Sequence, residues 1–137
     1  MGEFENYGVY RYKTGEVYEG FFKDGESHGF GNATFENGDK YSGYWENGTS
    51  HGNGTLTEKA GPVYTGDWYM GQKHGKGVYN ISEGHSYFGD FKDGRLDGQG
   101  IYIKGDEKYE GGWKSDLRHG FGVMNYPNGN RYEGQWF

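Results

Sequence analysis

The chain has 137 residues, the length of one ordinary domain, with a net charge of −6 and no cysteine. Lack of cysteine excludes a disulfide framework and any thiolate metal or redox site. The acidic balance opposes a general attraction to nucleic acid or anionic lipid, and no apolar run is long enough for a signal peptide or membrane span.

Leu, Ile, Val and Phe together make only 20 residues, whereas aromatics reach 20% and glycines number 29. Burial must therefore come from rings laid over glycine, not from an aliphatic core.

In chain order, residues 8–17 (GVYRYKTGEV) read as half of a hairpin turning at Thr14-Gly15. From Tyr18 a phrase of 23 residues recurs, giving full repeats at 18–40, 41–63, 64–86, 87–108 and 109–131 and a half repeat at 132–137. The whole chain reads as one array, since a period of this length marks a quasi-linear repeat architecture. Each repeat opens on tyrosine, with glycine two residues on and an aromatic two further. The sets are Tyr18/Gly20/Phe22, Tyr41/Gly43/Trp45, Tyr64/Gly66/Trp68, Tyr87/Gly89/Phe91 and Tyr109/Gly111/Trp113, and Tyr132/Gly134/Trp136 opens the last half. A Gly-x-Gly follows later in each full copy, from Gly29/Gly31 to Gly120/Gly122.

Two turn stations punctuate every repeat. The first is Asp24-Gly25, Asn47-Gly48, Met70-Gly71, Asp93-Gly94 and the irregular Ser115-Asp116. The second is Thr14-Gly15, Asn37-Gly38, Ala60-Gly61, Glu83-Gly84 and Asn128-Gly129. Asn-Gly and Asp-Gly suit two-residue hairpin loops, whose central residues need positive φ. Between stations the sequence alternates, placing Tyr18, Gly20 and Phe22 on one face and Glu19, Phe21 and Lys23 on the other. Dense glycine and the absence of a 3.6-residue apolar stripe argue against helix.

The predicted fold is all-β: an elongated, single-layer antiparallel meander of about 12 strands, roughly 50 Å long at about 4.8 Å per strand. Right-handed twist should turn the Tyr/Gly/aromatic side into a groove. The chain starts and stops within a repeat, as a piece of a longer array would. Its terminal strands would leave sheet edges able to pair with a second copy.

The pattern Y-E-G-x-W-x-x-G-x-x-H-G-x-G, carried over residues 8–137, resembles the MORN (membrane occupation and recognition nexus) repeat. The fourth copy departs by being one residue short and by carrying Asp97 where others have His28, His51, His74 and His119. The fifth has Asp116 in place of the turn glycine. Both departures are expected to distort their hairpins locally. The resemblance implies an elongated β-ribbon that serves as scaffold, adaptor or dimerising module at cytoskeletal structures, membrane contact sites or beside enzyme domains.

No residue pattern points to catalysis, a cofactor or a metal. Histidines in neighbouring repeats stand two strands apart, roughly 9–10 Å, too far to share a zinc ion whose ligands lie at about 2.1 Å. Each is expected at a strand entrance, bonding backbone or solvent. The Gly-x-Gly pairs lack the third glycine and the helix of a dinucleotide site. Glu19, Glu110 and Glu133 recur at one outward position and read as a solvated face rather than an acid/base pair. Lys73, Lys76, Lys92, Arg95, Lys104, Lys108, Lys114 and Arg118 are interleaved with acids, as on a mixed surface, so phospholipid binding is expected to be weak or absent.

The row Tyr18, Phe22, Tyr41, Trp45, Tyr64, Trp68, Tyr87, Phe91, Tyr109 and Trp113 reads both as structural packing and as the floor of a partner-binding groove. Stacking single-stranded bases would need a basic track, and none is evident. The expectation is a non-enzymatic, cytoplasmic protein-interaction scaffold. Its partner would be a helix or extended peptide of a cytoskeletal, motor or membrane-associated protein. The alternatives are a phospholipid-binding tether and a regulatory array cut from a larger enzyme.

Overall fold

The computed structural model describes residues 6–137; residues 1–5, counted above within the array, lie outside it. It forms one sheet of twelve antiparallel strands in which each strand pairs with its neighbours in sequence, the meander that the repeats predict. The strands are β1 Asn6–Arg11, β2 Val17–Lys23, β3 Glu26–Thr34, β4 Lys40–Glu46, β5 Thr49–Thr57 and β6 Val63–Tyr69, followed by β7 Gln72–Ser82, β8 His85–Lys92, β9 Arg95–Lys104, β10 Glu107–Lys114, β11 Leu117–Asn125 and β12 Arg131–Trp136. No helix is present among the described residues.

The register explains the glycine content. One glycine from every strand falls in a single lane: Gly8, Gly20, Gly31, Gly43, Gly54, Gly66, Gly77, Gly89, Gly100, Gly111, Gly122 and Gly134 are successive partners. The repeat tyrosines lie across this lane. A Cβ at Gly31 would come within 2.5 Å of the Tyr18 ring, and one at Gly77 or Gly122 would meet Tyr64 or Tyr109 as closely. Each tyrosine hydroxyl donates to the carbonyl three residues on: Tyr18 to Phe21 at 2.7 Å, Tyr41 to Tyr44 at 2.9 Å, Tyr64 to Asp67 at 2.8 Å. The bond fixes the ring flat over the backbone and satisfies a phenol that burial would otherwise orphan.

The Trp/Phe position completes the core. Trp45 meets Tyr41 of its own repeat edge-on at 5.1 Å and Tyr18 of the preceding repeat at 5.2 Å. The same pair of contacts joins Trp68 to Tyr64 and Tyr41, Phe91 to Tyr87 and Tyr64, and Trp113 to Tyr109 and Tyr87. An unbroken herringbone of rings therefore runs along the sheet. Edge-to-face pairs contribute about 0.5–1.5 kcal/mol beyond their buried area. Because each aromatic bridges two repeats, stability propagates by nearest-neighbour contact, which is how one layer holds itself without a second.

The two turn stations differ in a way that the sequence reading missed. At the first, Asp24 and Gly25 have φ of 52° and 79°, the pair of positive angles that a type I′ turn demands. Met70-Gly71 and Ser115-Asp116 make the same turn, so the predicted distortion at Asp116 is absent. The Asp116 N–H donates to Leu96 O at 2.9 Å, as Gly48 donates to Ser27 O and Gly71 to Ser50 O. At the second station the expected two-residue loop is in most repeats a three-residue loop. Phe35 N donates to Asp39 O and Gly38 N to Phe35 O, with Gly38 alone at positive φ. The same pattern recurs around Gly15, Gly61 and Gly129. The missing residue of the fourth repeat is lost here. Lys104 pairs with Glu107 across a two-residue Gly105-Asp106 loop, while strand pairing on either side is kept. The turn glycine Gly105 went unnoticed because the shortened loop breaks the period.

Candidate functional site

All ten aromatics of the predicted groove floor share one face, and they are consumed by one another. Tyr18, Tyr41, Tyr64, Tyr87, Phe91 and Tyr109 are at most 3% exposed, and Trp45, Trp68 and Trp113 at most 9%. Phe22, at the start of the row, is half-buried. Their chemistry is that of a packed interior. Burial pushes the Tyr18 phenol up to about 12 and raises those of Tyr41, Tyr64, Tyr87 and Tyr109 as well.

The strand partners of those aromatics share this face; Ala33, Met124 and Ser27 are buried with the rings, and the others reach solvent at least in part. Opposite the tyrosines stand Ala33, Leu56, Tyr79, Tyr102 and Met124. Opposite the Trp/Phe row stand Ser27, Ser50, Lys73, Leu96 and Arg118. These positions are invariant in place and variable in identity, so a search for recurring residues passes over them. The physical signal was available: a position that alternates onto the aromatic face yet changes identity along the array is free to specify a partner.

Two of the variable residues are cations held over rings. The Lys73 ammonium lies 4.5 Å from the Tyr79 centroid and 5.5 Å from that of Tyr64. Burial holds the Lys73 pKa below its usual range, with the carboxylates of Glu58 and Asp116 opposing that shift. The Arg118 guanidinium lies 4.6 Å over Trp136 and 5.8 Å over Tyr109. Between these two cations sits Leu96, one repeat from each. Farther toward β2 a hollow of about 360 Å³ is lined by Phe35, Tyr41, Trp45, Leu56 and Trp68, with Glu16 and Asp39 at its rim. The face thus offers an apolar seat with acids at one end and cations at the other.

Histidine has an architectural place, though not at a strand entrance. In each full repeat the residue ahead of the first Gly-x-Gly glycine lies in a bulge, where three residues oppose one. Gly20 pairs with Gly31 and Phe22 with Ser27, leaving His28, Gly29 and Phe30 opposite Phe21. Gly29 takes φ 81° there, and Gly98 keeps the bulge beside Asp97 with φ 115°. Of the Gly-x-Gly pair, only the second glycine is covered by tyrosine. The His51 and His74 rings flank that of Tyr69, with centroids 5.3 and 5.5 Å away. Among the described residues no cluster of three or more histidines or carboxylates could hold a metal ion. Glu19 and Glu110 point to the face opposite the aromatics, as alternation requires.

A ribbon of β-hairpins strung on a glycine lane and locked by shared rings defines an array-type repeat protein. The MORN repeat family profile matches residues 1–17, 18–40, 41–57, 64–86, 87–107 and 109–131. These matches cover most of the chain, which belongs to the MORN repeat family. No curated protein matches the chain. MORN repeats are a non-catalytic repeat fold and serve as protein- and membrane-interaction modules, associated with membranes or the cytoskeleton. Among the described residues no helix is long and apolar enough to cross a membrane.

Proposed function

We propose that the chain is a non-enzymatic scaffold or adaptor whose aromatic face holds a helix or extended segment of a cytoskeletal or membrane-associated protein. The supporting observation is the hollow of about 360 Å³ lined by Phe35, Leu56 and the exposed margins of Trp45 and Trp68. An apolar seat ringed by polar groups is the form that buried interface anchors take. Glu16 and Asp39 at the rim suit a segment with basic flanks, and Lys73 and Arg118 suit acids farther along it. Among the described residues the outermost strands β1 and β12 each pair with one neighbour, an arrangement that suits self-association by strand addition.

The test is capture from native lysate with the wild-type chain and with Leu56→Asp, which alters a half-buried groove residue without removing a ring of the herringbone. Loss of one specific protein with an unchanged melting temperature supports the adaptor. Capture that ignores the substitution refutes this seat. Flotation with anionic liposomes, abolished at high salt, would favour the tether instead.

A further inference from the structure

Each full repeat sets one residue of variable identity opposite its Trp/Phe ring, and the copies differ in what fills that seat. In the fifth repeat it is Arg118, the strand partner of Trp113, whose guanidinium lies 4.6 Å from the Trp136 centroid and 5.8 Å from that of Tyr109. In the third it is Lys73, opposite Trp68, with its ammonium over Tyr79 and Tyr64. Leu96 fills the fourth, and Ser27 is buried in the first. The second repeat carries Ser50 opposite Trp45, a side chain too short to cover a ring, and there the hollow of about 360 Å³ opens.

The rings that Arg118 covers have Tyr41 and Trp68 as their counterparts in the second seat, and both line the hollow together with Ser50. The two pairs share one geometry. Trp136 meets Tyr109 edge-on at 5.5 Å and 88°, and Trp68 meets Tyr41 at 5.3 Å and 89°. Acids accompany both resident cations: Glu58 accepts from the Tyr79 hydroxyl at 2.7 Å beside Lys73, and Glu107 lines a hollow with Arg118. The fourth repeat, filled by Leu96, has His85 where the second has Asp39. The second seat keeps the acids without the cation. Among the described residues Glu16 and Asp39 are its only charged liners, both half-buried, and neither forms an ion pair. Asp39 accepts from Lys59 N at 2.9 Å and from the Asn37 amide at 3.2 Å, bonds that orient the carboxylate and leave its charge unneutralised.

We propose that the seat at Ser50 receives an arginine side chain of the partner, which supplies in the second repeat what Arg118 supplies in the fifth. Such an anchor presupposes the partner-binding groove proposed above. The guanidinium lies over Trp68 and Tyr41, and its fork of N–H groups turns to Asp39 and Glu16 at the rim. The rings select arginine over lysine. The ring nearest the Lys73 ammonium is Tyr79, whose counterpart here is Leu56, whereas both rings used by Arg118 are present. The carboxylates select it over an aliphatic side chain, which would strip them of water and offer no charge in return. A guanidinium is also more weakly hydrated than an ammonium, so it loses less on entering a half-apolar hollow. The volume lies near the lower end of the about 300–1,000 Å³ of small-ligand sites, which suits one long side chain.

The probes are three synthetic peptides, acetyl-Gly-Leu-Xaa-Leu-Gly-amide with arginine, citrulline or norleucine at Xaa, each titrated by amide and indole NMR shifts. The arginine peptide should shift Ser50, Leu56, Gly71 and the Trp68 indole. Citrulline, which keeps the shape and lacks the charge, should bind at least tenfold more weakly. Ser50→Arg fills the seat from within the chain: it should abolish peptide binding and raise the melting temperature above that of Ser50→Leu. In a Glu16→Gln, Asp39→Asn background that difference should vanish. Norleucine binding as tightly as arginine, or Ser50→Leu stabilising as much as Ser50→Arg, would overturn the arginine anchor and leave an apolar groove standing. Absence of any shift with the arginine peptide would overturn it as well. Failure of the groove itself is read separately, as capture that ignores Leu56→Asp.

Discussion

Replacing Gly54 with alanine tests the central claim, that a glycine lane exists to seat the tyrosines. Gly54 has an ordinary negative φ, so the substitution carries no left-handed backbone strain and reads out space alone. The added Cβ would fall within 2.5 Å of the Tyr41 ring, whose exposure is 2%, and the ring would have to lift. Lifting it breaks the 2.9 Å hydrogen bond from Tyr41 to Tyr44 O, worth about 0.5–1.5 kcal/mol. It also disturbs the edge-on contacts of Tyr41 with Trp45 and Trp68, at about 0.5–1.5 kcal/mol each. Overpacking itself costs about 1–3 kcal/mol. The terms overlap, and about 3–5 kcal/mol is expected, a large part of the roughly 5–15 kcal/mol by which a domain is stable. Urea unfolding followed by tryptophan fluorescence gives the total. Hydrogen exchange should place the loss in β4–β6, since repeats couple to their neighbours. In a Tyr41→Leu background the same alanine should cost at least about 1 kcal/mol less, because the ring it strikes is gone. A Gly54→Ala chain with unchanged midpoint and protection would refute the packing argument.

Three other outcomes follow from the geometry. Met70→Asn should stabilise the chain by about 0.5–1 kcal/mol in the same unfolding assay: Met70 is 66% exposed at φ 49°, a left-handed angle that asparagine tolerates far better. Trp68→Phe should cost about 1–2 kcal/mol more than Trp113→Phe, because Trp68 Nε1 donates to Gly54 O at 3.0 Å whereas the buried Trp113 Nε1 has no partner. Alkali should unfold the ribbon. The tyrosines titrate near 10 when unfolded, but burial keeps Tyr18 and Tyr79 protonated to about 12. The unfolded state therefore releases protons first, and stability is fully present below pH 10 and lost as pH rises through 12. The slope is at most about 1.4 kcal/mol per pH unit for each tyrosine, and a pH titration of near-UV circular dichroism should show the rings released cooperatively in that window.

The period alone carried the fold. Tyrosine, glycine and aromatic at two-residue intervals can share a face only in a strand, and their recurrence every 23 residues left a hairpin meander as the natural reading. What the sequence could not supply was the pairing register, because register depends on which residue stands across the gap. Only the assembled sheet brought twelve glycines into one lane, and only there did Gly29 and Gly31 separate into a bulge and a seat for Tyr18. The same limit hid the candidate binding groups. Leu56, Lys73, Leu96 and Arg118 form no motif along the chain, and they become a surface only as strand partners of Tyr41, Trp68, Phe91 and Trp113. Local pattern fixes which way a side chain points, whereas its strand partners here come from residues 5 to 15 positions away, and those distances close only in the folded sheet.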